Sequence, residues 1–312
     1  MNGDEIMNKK ILAILALISL SILSIFIGVH DLTYEILVES RIPRLLSILL
    51  TGMGMGIAGL IMMQISQNKF ASPSTIGTIE CAGLGIILCT AFIPDMKIGF
   101  KVMIIFALAL IGTKIFTTIL DKIVFKDTLF IPLIGIMYGN IITAITTMIA
   151  YEFNLLQELS IWFAGDFSAI LHGKYELLYF IIPGVIVAYL YANALTIIGF
   201  GQDFSENLGI SYNKIKNLGL FIVAFLVASI VTVVGQIPFI GLIIPNLVTL
   251  MNGDNIKTNL PYIVIFGCIY VLICDILSRV LIFPYEISVS LISGLFGSII
   301  FMGLILRGKN NA

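Results

Sequence analysis

Long uncharged apolar runs, separated by short polar stretches, repeat along the whole chain. A bilayer core of ~30 Å needs ~20 residues of helix at ~1.5 Å per residue, and most of these runs reach or approach that length. The pattern predicts ten membrane-spanning helices, at about residues 11–29, 45–66, 76–93, 98–120, 129–151, 177–199, 217–235, 237–251, 260–282 and 287–306. The eighth run is short and contains Pro238 and Pro245, so we expect a broken or distorted span there.

The second run is rich in small and soft side chains. Its four glycines (Gly52, Gly54, Gly56 and Gly59) include one pair four residues apart, Gly52 and Gly56, a spacing that lets a neighbouring helix approach closely. Its methionines (Met53, Met55, Met62 and Met63) would suit a path that passes a ligand without holding it, or they are ordinary packing. Candidate pathway-lining residues are Met53, Gly56, Met63 and, in the third run, Glu80.

Two stretches are too polar to span. Residues 159–172 are predicted to form an interfacial or re-entrant segment with Trp162 as an aromatic membrane anchor. Residues 201–216 are predicted to form the longest cytoplasmic loop, with a short helix that begins after Gly201 and ends near Gly209. Phe204 and Leu208 would share one face of that helix, either as a docking surface or lying on the membrane.

Composition and charge agree with the apolar pattern. Of 312 residues, 59% are hydrophobic and 11% are charged, whereas soluble domains carry about 25% charged residues. The class is therefore an all-α membrane protein, organised as a single transmembrane domain over residues 1–312. The net charge of −1 excludes a nucleic-acid binder. The four cysteines (Cys81, Cys89, Cys268 and Cys274) lie in apolar runs and are interpreted as buried hydrophobic residues.

The distribution of lysine and arginine predicts the topology. With ten spans and both termini in the cytoplasm, eleven cations fall on the cytoplasmic side and six outside, which obeys the positive-inside rule. The outer six are Arg41, Arg44, Lys97, Lys101, Lys174 and Arg279.

Few side chains could take part in catalysis, ion coupling or metal binding. Asp275 and Arg279 are four residues apart in one helix, which favours a local ion pair. Glu80 could line a pathway or reach cytoplasmic water, and an ion-gradient-driven carrier using it is one hypothesis. His30 and His172 are interface residues or, less simply, a metal site. The sequence has no catalytic constellation and no nucleotide-binding lysine motif, so we expect no enzyme, cofactor or metal here, and ATP hydrolysis would need another chain.

Six separated segments, in the same order, resemble the FecCD-type permease subunits of the ATP-binding-cassette importers for iron-siderophores, haem and cobalamin. They are RIPR (residues 41–44), NKFASP (68–73), WFAG (162–165), the segment 201–209, FIGLIIP (239–245), and Asp275 to Arg279 with Glu286 beyond. The variant NKFASP, with Glu80 after it, is similar to the branch that handles catecholate or mixed siderophores such as petrobactin. The resemblance covers nearly the whole chain.

The resemblance implies a type II importer permease of about ten helices that carries a ferric siderophore, with cobalamin or haem as the alternative cargo. It implies a second permease subunit (a distinct chain, or a second copy), two ATPase subunits that use ATP and Mg, and an extracytoplasmic binding protein. Docking of the binding protein is assigned by resemblance to Arg41, Arg44 and Arg279. Coupling to the ATPase is assigned to Gln202, Asp203, Phe204, Glu206, Leu208 and Gly209.

Overall fold

The computed structural model describes residues 3–28, 33–123 and 130–309, with the side chains of 3–9, 305 and 307–309 left out. The predicted outer His30 lies outside the described residues. Within the described ranges the chain is helical, and β geometry is confined to one isolated bridge between Ile282 and Tyr285.

The helices follow one another with short connections. They are α1 (Gly3–Phe26), α2 (Tyr34–Ile36), a π-helical turn (Leu37–Arg41), α3 (Ile42–Ile65), α4 (Thr78–Phe92), α5 (Ile98–Lys122), α6 (Phe130–Glu152), α7 (Leu156–Phe163), a 3₁₀ turn (Glu176–Phe180), α8 (Ile181–Leu190), α9 (Ala192–Ile198), α10 (Gln202–Asn207), α11 (Tyr212–Val234), α12 (Ile240–Asn252), α13 (Ile256–Val280) and α14 (Val289–Lys309).

Ten apolar segments coincide with the ten predicted runs. Five helices are long and apolar enough to cross a membrane: Tyr34–Ile65, Ile98–Lys122, Phe130–Glu152, Tyr212–Val234 and Ile256–Val280. Glu176–Leu190 and Ala192–Ile198 form a sixth, bent by 66°. Shorter apolar helices occupy the remaining four positions, at Lys10–Phe26, Thr78–Phe92, Ile240–Asn252 and Val289–Leu304. The predicted all-α architecture is confirmed.

Helix α3 lies at the centre of the bundle, packed against α11, α12 and α13. A Cβ on Gly52 would overlap the backbone of Gly267 in α13, and one on Gly59 would overlap the backbone of Gly241 in α12. The glycines therefore bring helix backbones into direct contact, as predicted. Gly56 and Met63 are both buried inside the subunit, and their pathway role stays a prediction.

Helices α3 and α13 run antiparallel and define the two ends of the bundle. At one end, called here the arginine end, Arg44 of α3 contacts Asp275 of α13. At the other, the loop end, Gln64 Nε2 donates to the Asp254 carbonyl at 3.2 Å. The turn after α3 also contacts the start of the 201–211 loop, since a Cβ on Gly201 would lie 3.3 Å from Gln67 Nε2. The predicted docking arginines and the predicted coupling loop are thus at opposite ends.

The eighth span is short, as its prolines predicted. Phe239 precedes α12 in the left-handed region, with φ 68°, and Pro245 lies inside the helix. Pro245 lacks a backbone N–H, so one helical hydrogen bond is missing. The side-chain amide of Asn246 (Nδ2) donates to the carbonyls of Leu242 at 2.7 Å and Lys69 at 2.6 Å. The bond to Lys69 ties α12 to the turn after α3.

Segment 159–172 does not span, but Trp162 is not the membrane anchor that was predicted. Its indole is 8% exposed and fills the space left by Gly83 of α4, where a Cβ would overlap the ring. The Trp162 carbonyl accepts a hydrogen bond from the Gln236 backbone N–H at 3.1 Å. Trp162 is buried because Gly83 has no side chain, which opens a slot for the ring inside the protein.

Candidate functional site

The arginine end is built around one buried carboxylate, Asp275 of α13, which is 0% exposed. Arg44 of α3 donates to its Oδ1 from Nε at 3.0 Å and from Nη2 at 2.8 Å. Arg279, one helical turn further along α13, forms an ion pair with Oδ2. The local pair between Asp275 and Arg279 is confirmed, and a second arginine joins it from another helix.

Two arginines also hold the end of α1. Arg279 donates to the carbonyls of Ser24 at 2.8 Å and Ile27 at 3.1 Å, and Arg41 donates to those of Ile27 at 3.1 Å and Gly28 at 2.9 Å. The last carbonyls of a helix have no partner within the helix and carry partial negative charge. The guanidinium groups satisfy these carbonyls and fix α1 to the bundle.

Glu286, in the connection between α13 and α14, completes the cluster. Its Oε2 lies 2.9 Å from Arg44 Nη2, and its Oε1 accepts from Nη1 at 3.2 Å. Its side chain is 33% exposed. We define the arginine cluster as Arg41, Arg44, Asp275, Arg279 and Glu286, which together carry three positive and two negative charges.

Burial changes the picture of the docking residues. Arg44 is 6% exposed and Arg279 is 3% exposed, and both spend their donors inside the subunit. In this conformation, neither offers a free guanidinium to a partner. Arg41 is partly exposed. The docking role of the three arginines stays a prediction, and for two of them it would require an internal partner to leave.

Helix α10 at the loop end has the predicted form. Gly201 precedes it with φ 105° and Gly209 follows it with φ 76°, and left-handed φ values favour glycine. Ser205 is buried, and its hydroxyl donates to the Gly201 carbonyl at 2.7 Å. Phe204 and Leu208 point outward, 49% and 56% exposed. Since the Ser205 side of this helix is anchored, Phe204 and Leu208 are presented to a partner or to the membrane surface.

The remaining predicted coupling residues lie around this helix. Asp203 is in its first turn, and Gln202 Nε2 donates to Glu206 Oε1 at 2.9 Å on the exposed surface. The loop is shorter than predicted, because α11 begins at Tyr212. Lys216 is inside α11, 8% exposed, and its Nζ lies 2.6 Å from Asp121 Oδ2 of α5. The sequence predicts Lys216 in a loop because it is charged. It lies in a helix instead, because its ammonium group is buried and paired with Asp121.

Glu80 lies in the first turn of α4 and packs against α6. Its Cδ would be 3.3 Å from a Cβ on Gly139. Within the described residues, its buried Oε2 has no hydrogen-bond partner and no cation pairs with it. Met53, the other pathway candidate, is half-buried against the core. Both pathway roles stay predictions.

Among the histidines, cysteines, aspartates and glutamates that the structure describes, no group of three or more is arranged to hold a metal ion. The four cysteines are free and buried, so their interpretation as hydrophobic core residues is confirmed. His172 lies beside Tyr175, with ring centroids 6.5 Å apart.

Comparisons with known proteins agree with the architecture. The sequence matches the FecCD transport family over residues 11–307. It is 47% identical over 304 residues to the petrobactin import system permease protein YclN of Bacillus subtilis, covering 94% of this chain and 96% of that protein. It is 36% identical to the petrobactin import system permease protein FatD of Bacillus anthracis, covering 99% and 94%.

A solved structure has the same fold. It is described as an inward-facing conformation of a putative metal-chelate type ABC transporter, and it aligns with a TM-score of 0.79 at 23% identity, covering 96% of this chain and 99% of that one. The predicted type II importer permease fold is therefore confirmed. The family match over nearly the whole chain shows that this protein belongs to the FecCD transport family.

Proposed function

We propose that the chain is the permease subunit of an ATP-binding-cassette importer for a ferric siderophore of the petrobactin class. The observation that carries this proposal is the 47% identity, over almost the full length of both chains, to a permease named for petrobactin import. It works with a second permease subunit (a distinct chain or a second copy), two ATPase subunits that use ATP and Mg, and an extracytoplasmic binding protein.

The positive-inside rule orients the bundle in the cell membrane. The loop end and both chain termini face the cytoplasm, and the arginine end faces the exterior. The binding protein then meets the arginine cluster, and the ATPase meets α10. Substrate passes by alternating access, in which the bundle opens to one side at a time.

A chain of hydrogen bonds and one ion pair supports a mechanical connection from α10 into the bundle. Ser205 ties α10 to the carbonyls of Ile197 at 3.2 Å and Gly201 at 2.7 Å. The Ile210 N–H donates to the Ser205 carbonyl at 3.0 Å, and α11 starts two residues later. Lys216 then links α11 to α5 through Asp121. Because these links are short and partly buried, a force applied to α10 by the ATPase would move α11 and α5 with it.

Transport in proteoliposomes tests the proposal directly. The permease–ATPase complex is reconstituted with the binding protein and supplied with radio-iron-labelled ferric petrobactin, with ATP enclosed or omitted. We expect ATP-dependent iron accumulation that excess haem or cobalamin leaves unchanged. Accumulation of labelled haem or cobalamin, with no iron uptake, would move the cargo to the alternative class.

Two variants of α10 test the coupling surface. Phe204→Asp and Leu208→Asp place a charge where a partner pocket would receive an apolar group, and we expect each to reduce ATP-dependent uptake about tenfold or more, as at a binding hot spot. Asn207→Asp is the matched control, since it adds the same charge to an exposed polar position of the same helix. Co-purification of the ATPase measures assembly. Equal uptake by all three variants would contradict the coupling role.

The alternative of another class is an ion-gradient carrier, which the unpartnered Oε2 of Glu80 favours. Under the importer proposal, uptake by Glu80→Gln stays ATP-dependent and does not respond to collapse of the membrane potential. Uptake that persists without ATP and stops when the potential is collapsed would support the carrier.

A further inference from the structure

The arginine cluster contains one member that differs from the rest in exposure. Asp275 is fully buried and is held by two arginines, whereas the Glu286 side chain is 33% exposed. Among the described residues, Arg44 Nη1 donates only to Glu286, Nε donates only to Asp275, and Nη2 contacts both carboxylates. Loss of Glu286 would therefore free one edge of Arg44 and leave its other edge paired.

The Glu286 side chain is free to leave without movement of the backbone. The neighbouring backbone is fixed on both sides, because the Tyr285 N–H donates to Ile282 at 2.9 Å and the Ile287 N–H donates to Ser278 at 3.0 Å. The carboxylate itself has no partner but Arg44 within the described residues. Rotation about its side-chain bonds is therefore enough to turn it into solvent.

We propose that Glu286 is an internal placeholder at a carboxylate-exchange site on Arg44. When the binding protein docks, an aspartate or glutamate of its docking face takes the place of Glu286 on Arg44 Nη1, and Glu286 turns outward. This proposal rests on the proposed function, which supplies the docking partner. It adds that Glu286 and a carboxylate of the binding protein compete for the same contact on Arg44.

The charges of the cluster favour such an exchange. Three arginines face two carboxylates, so an incoming carboxylate meets a net positive site. A guanidinium edge that was simply left empty would lose a charge-assisted hydrogen bond in a largely buried position. Glu286 satisfies that edge in the undocked state at high effective concentration, since it belongs to the same chain. Docking must displace it, which weakens binding and eases release of the binding protein.

The sign of one substitution distinguishes a placeholder from a structural contact. Glu286→Gln removes the competing charge, so we expect the binding protein to bind the permease–ATPase complex in lipid nanodiscs about threefold to tenfold more tightly, as for release of one partly exposed charge-assisted contact. The probe is the binding protein that supports uptake in the proteoliposome assay. The gain should shrink as salt is raised.

A control and a double variant complete the test. Glu35 is an exposed acid at the same end of the bundle, and it pairs with no arginine among the described residues. We therefore expect no comparable gain in binding-protein affinity from Glu35→Gln. In an Arg44→Gln background, Glu286→Gln should add nothing, because the exchange site is gone. Glu286→Asp keeps the charge with a shorter reach and should give a smaller gain, which protects the test if the glutamine variant fails to assemble.

Three outcomes would overturn the placeholder: unchanged or weaker docking of Glu286→Gln, an equal gain from Glu35→Gln, or a full gain in the Arg44→Gln background. The proposed function fails separately, and visibly, if wild-type complex binds no binding protein and imports no iron.

Discussion

Replacing Asp275 by asparagine tests whether the arginine cluster holds the fold together. The substitution keeps the size of the side chain and removes one negative charge from the centre of the cluster. Arg44 would keep Glu286, and Arg279 would keep the carbonyls of α1. Neither arginine would keep a buried anionic partner.

The expected cost follows from burial. Breaking a buried ion pair by removing one partner costs roughly 3–5 kcal/mol, because the remaining charge is left uncompensated. The asparagine oxygen can still accept one hydrogen bond, so we expect the lower end, about 3 kcal/mol. Asp254→Asn is the matched control, since Asp254 faces Lys69 at 3.9 Å with its side chain 52% exposed. An exposed pair of this kind contributes at most about 1 kcal/mol.

The four buried cysteines allow a direct assay. A thiol-reactive fluorophore stays dark while the cysteines are buried and reports their exposure as the purified protein is heated in detergent. At roughly 2 °C per kcal/mol for a chain of this size, Asp275→Asn should unfold about 6 °C below wild type and Asp254→Asn within about 2 °C of it. Similar shifts for the two variants would refute the argument that the cluster stabilises the bundle through buried charge.

Two further predictions concern packing and a second ion pair. Gly59→Ala should destabilise the protein by about 1–3 kcal/mol in the same assay, because its Cβ would overlap the backbone of Gly241, whereas Gly99→Ala has no neighbour within 4 Å and should be neutral. Asp121→Asn should lower the stability of the protein more than Lys216→Met does. The first substitution leaves a buried ammonium without its carboxylate partner, while the second leaves a carboxylate that is 59% exposed. A larger loss of stability for Lys216→Met would contradict this reasoning.

The spans were predictable because each one is a local property of the chain. A run of about twenty apolar residues identifies a helix in lipid whatever its neighbours are. Likewise, the glycines of α3 indicate close approach, and the glycines around α10 indicate where a short helix begins and ends. None of these inferences requires knowledge of which helices are in contact.

The misses all depend on which helices are neighbours. Arg44 and Asp275 are 231 residues apart, and no spacing rule links them, so the sequence predicts Arg44 only as an outer cation. It predicts Trp162 as a membrane anchor because the slot for its ring is created by Gly83 of another helix. It predicts Lys216 in a loop because the partner of Lys216, Asp121, is on α5. In each case the prediction rests on the polarity of the residue itself, whereas the position of the residue is set by a contact with a residue that is distant in the sequence.

The break between α11 and α12 has a consequence for how the protein is made. Helix α12 has 13 residues, about 20 Å at ~1.5 Å per residue. Residues 235–239, which precede it, form irregular backbone between two apolar helices. Such backbone requires protein partners, because lipid offers no hydrogen bonds. The partners come from both directions along the chain: the Gln236 N–H donates to Trp162, and the Pro238 carbonyl accepts from Ser293. Until Ser293 has been synthesised, the Pro238 carbonyl has only the Ile240 N–H as a donor, so the full set of hydrogen bonds at this turn forms only after α14 has entered the membrane.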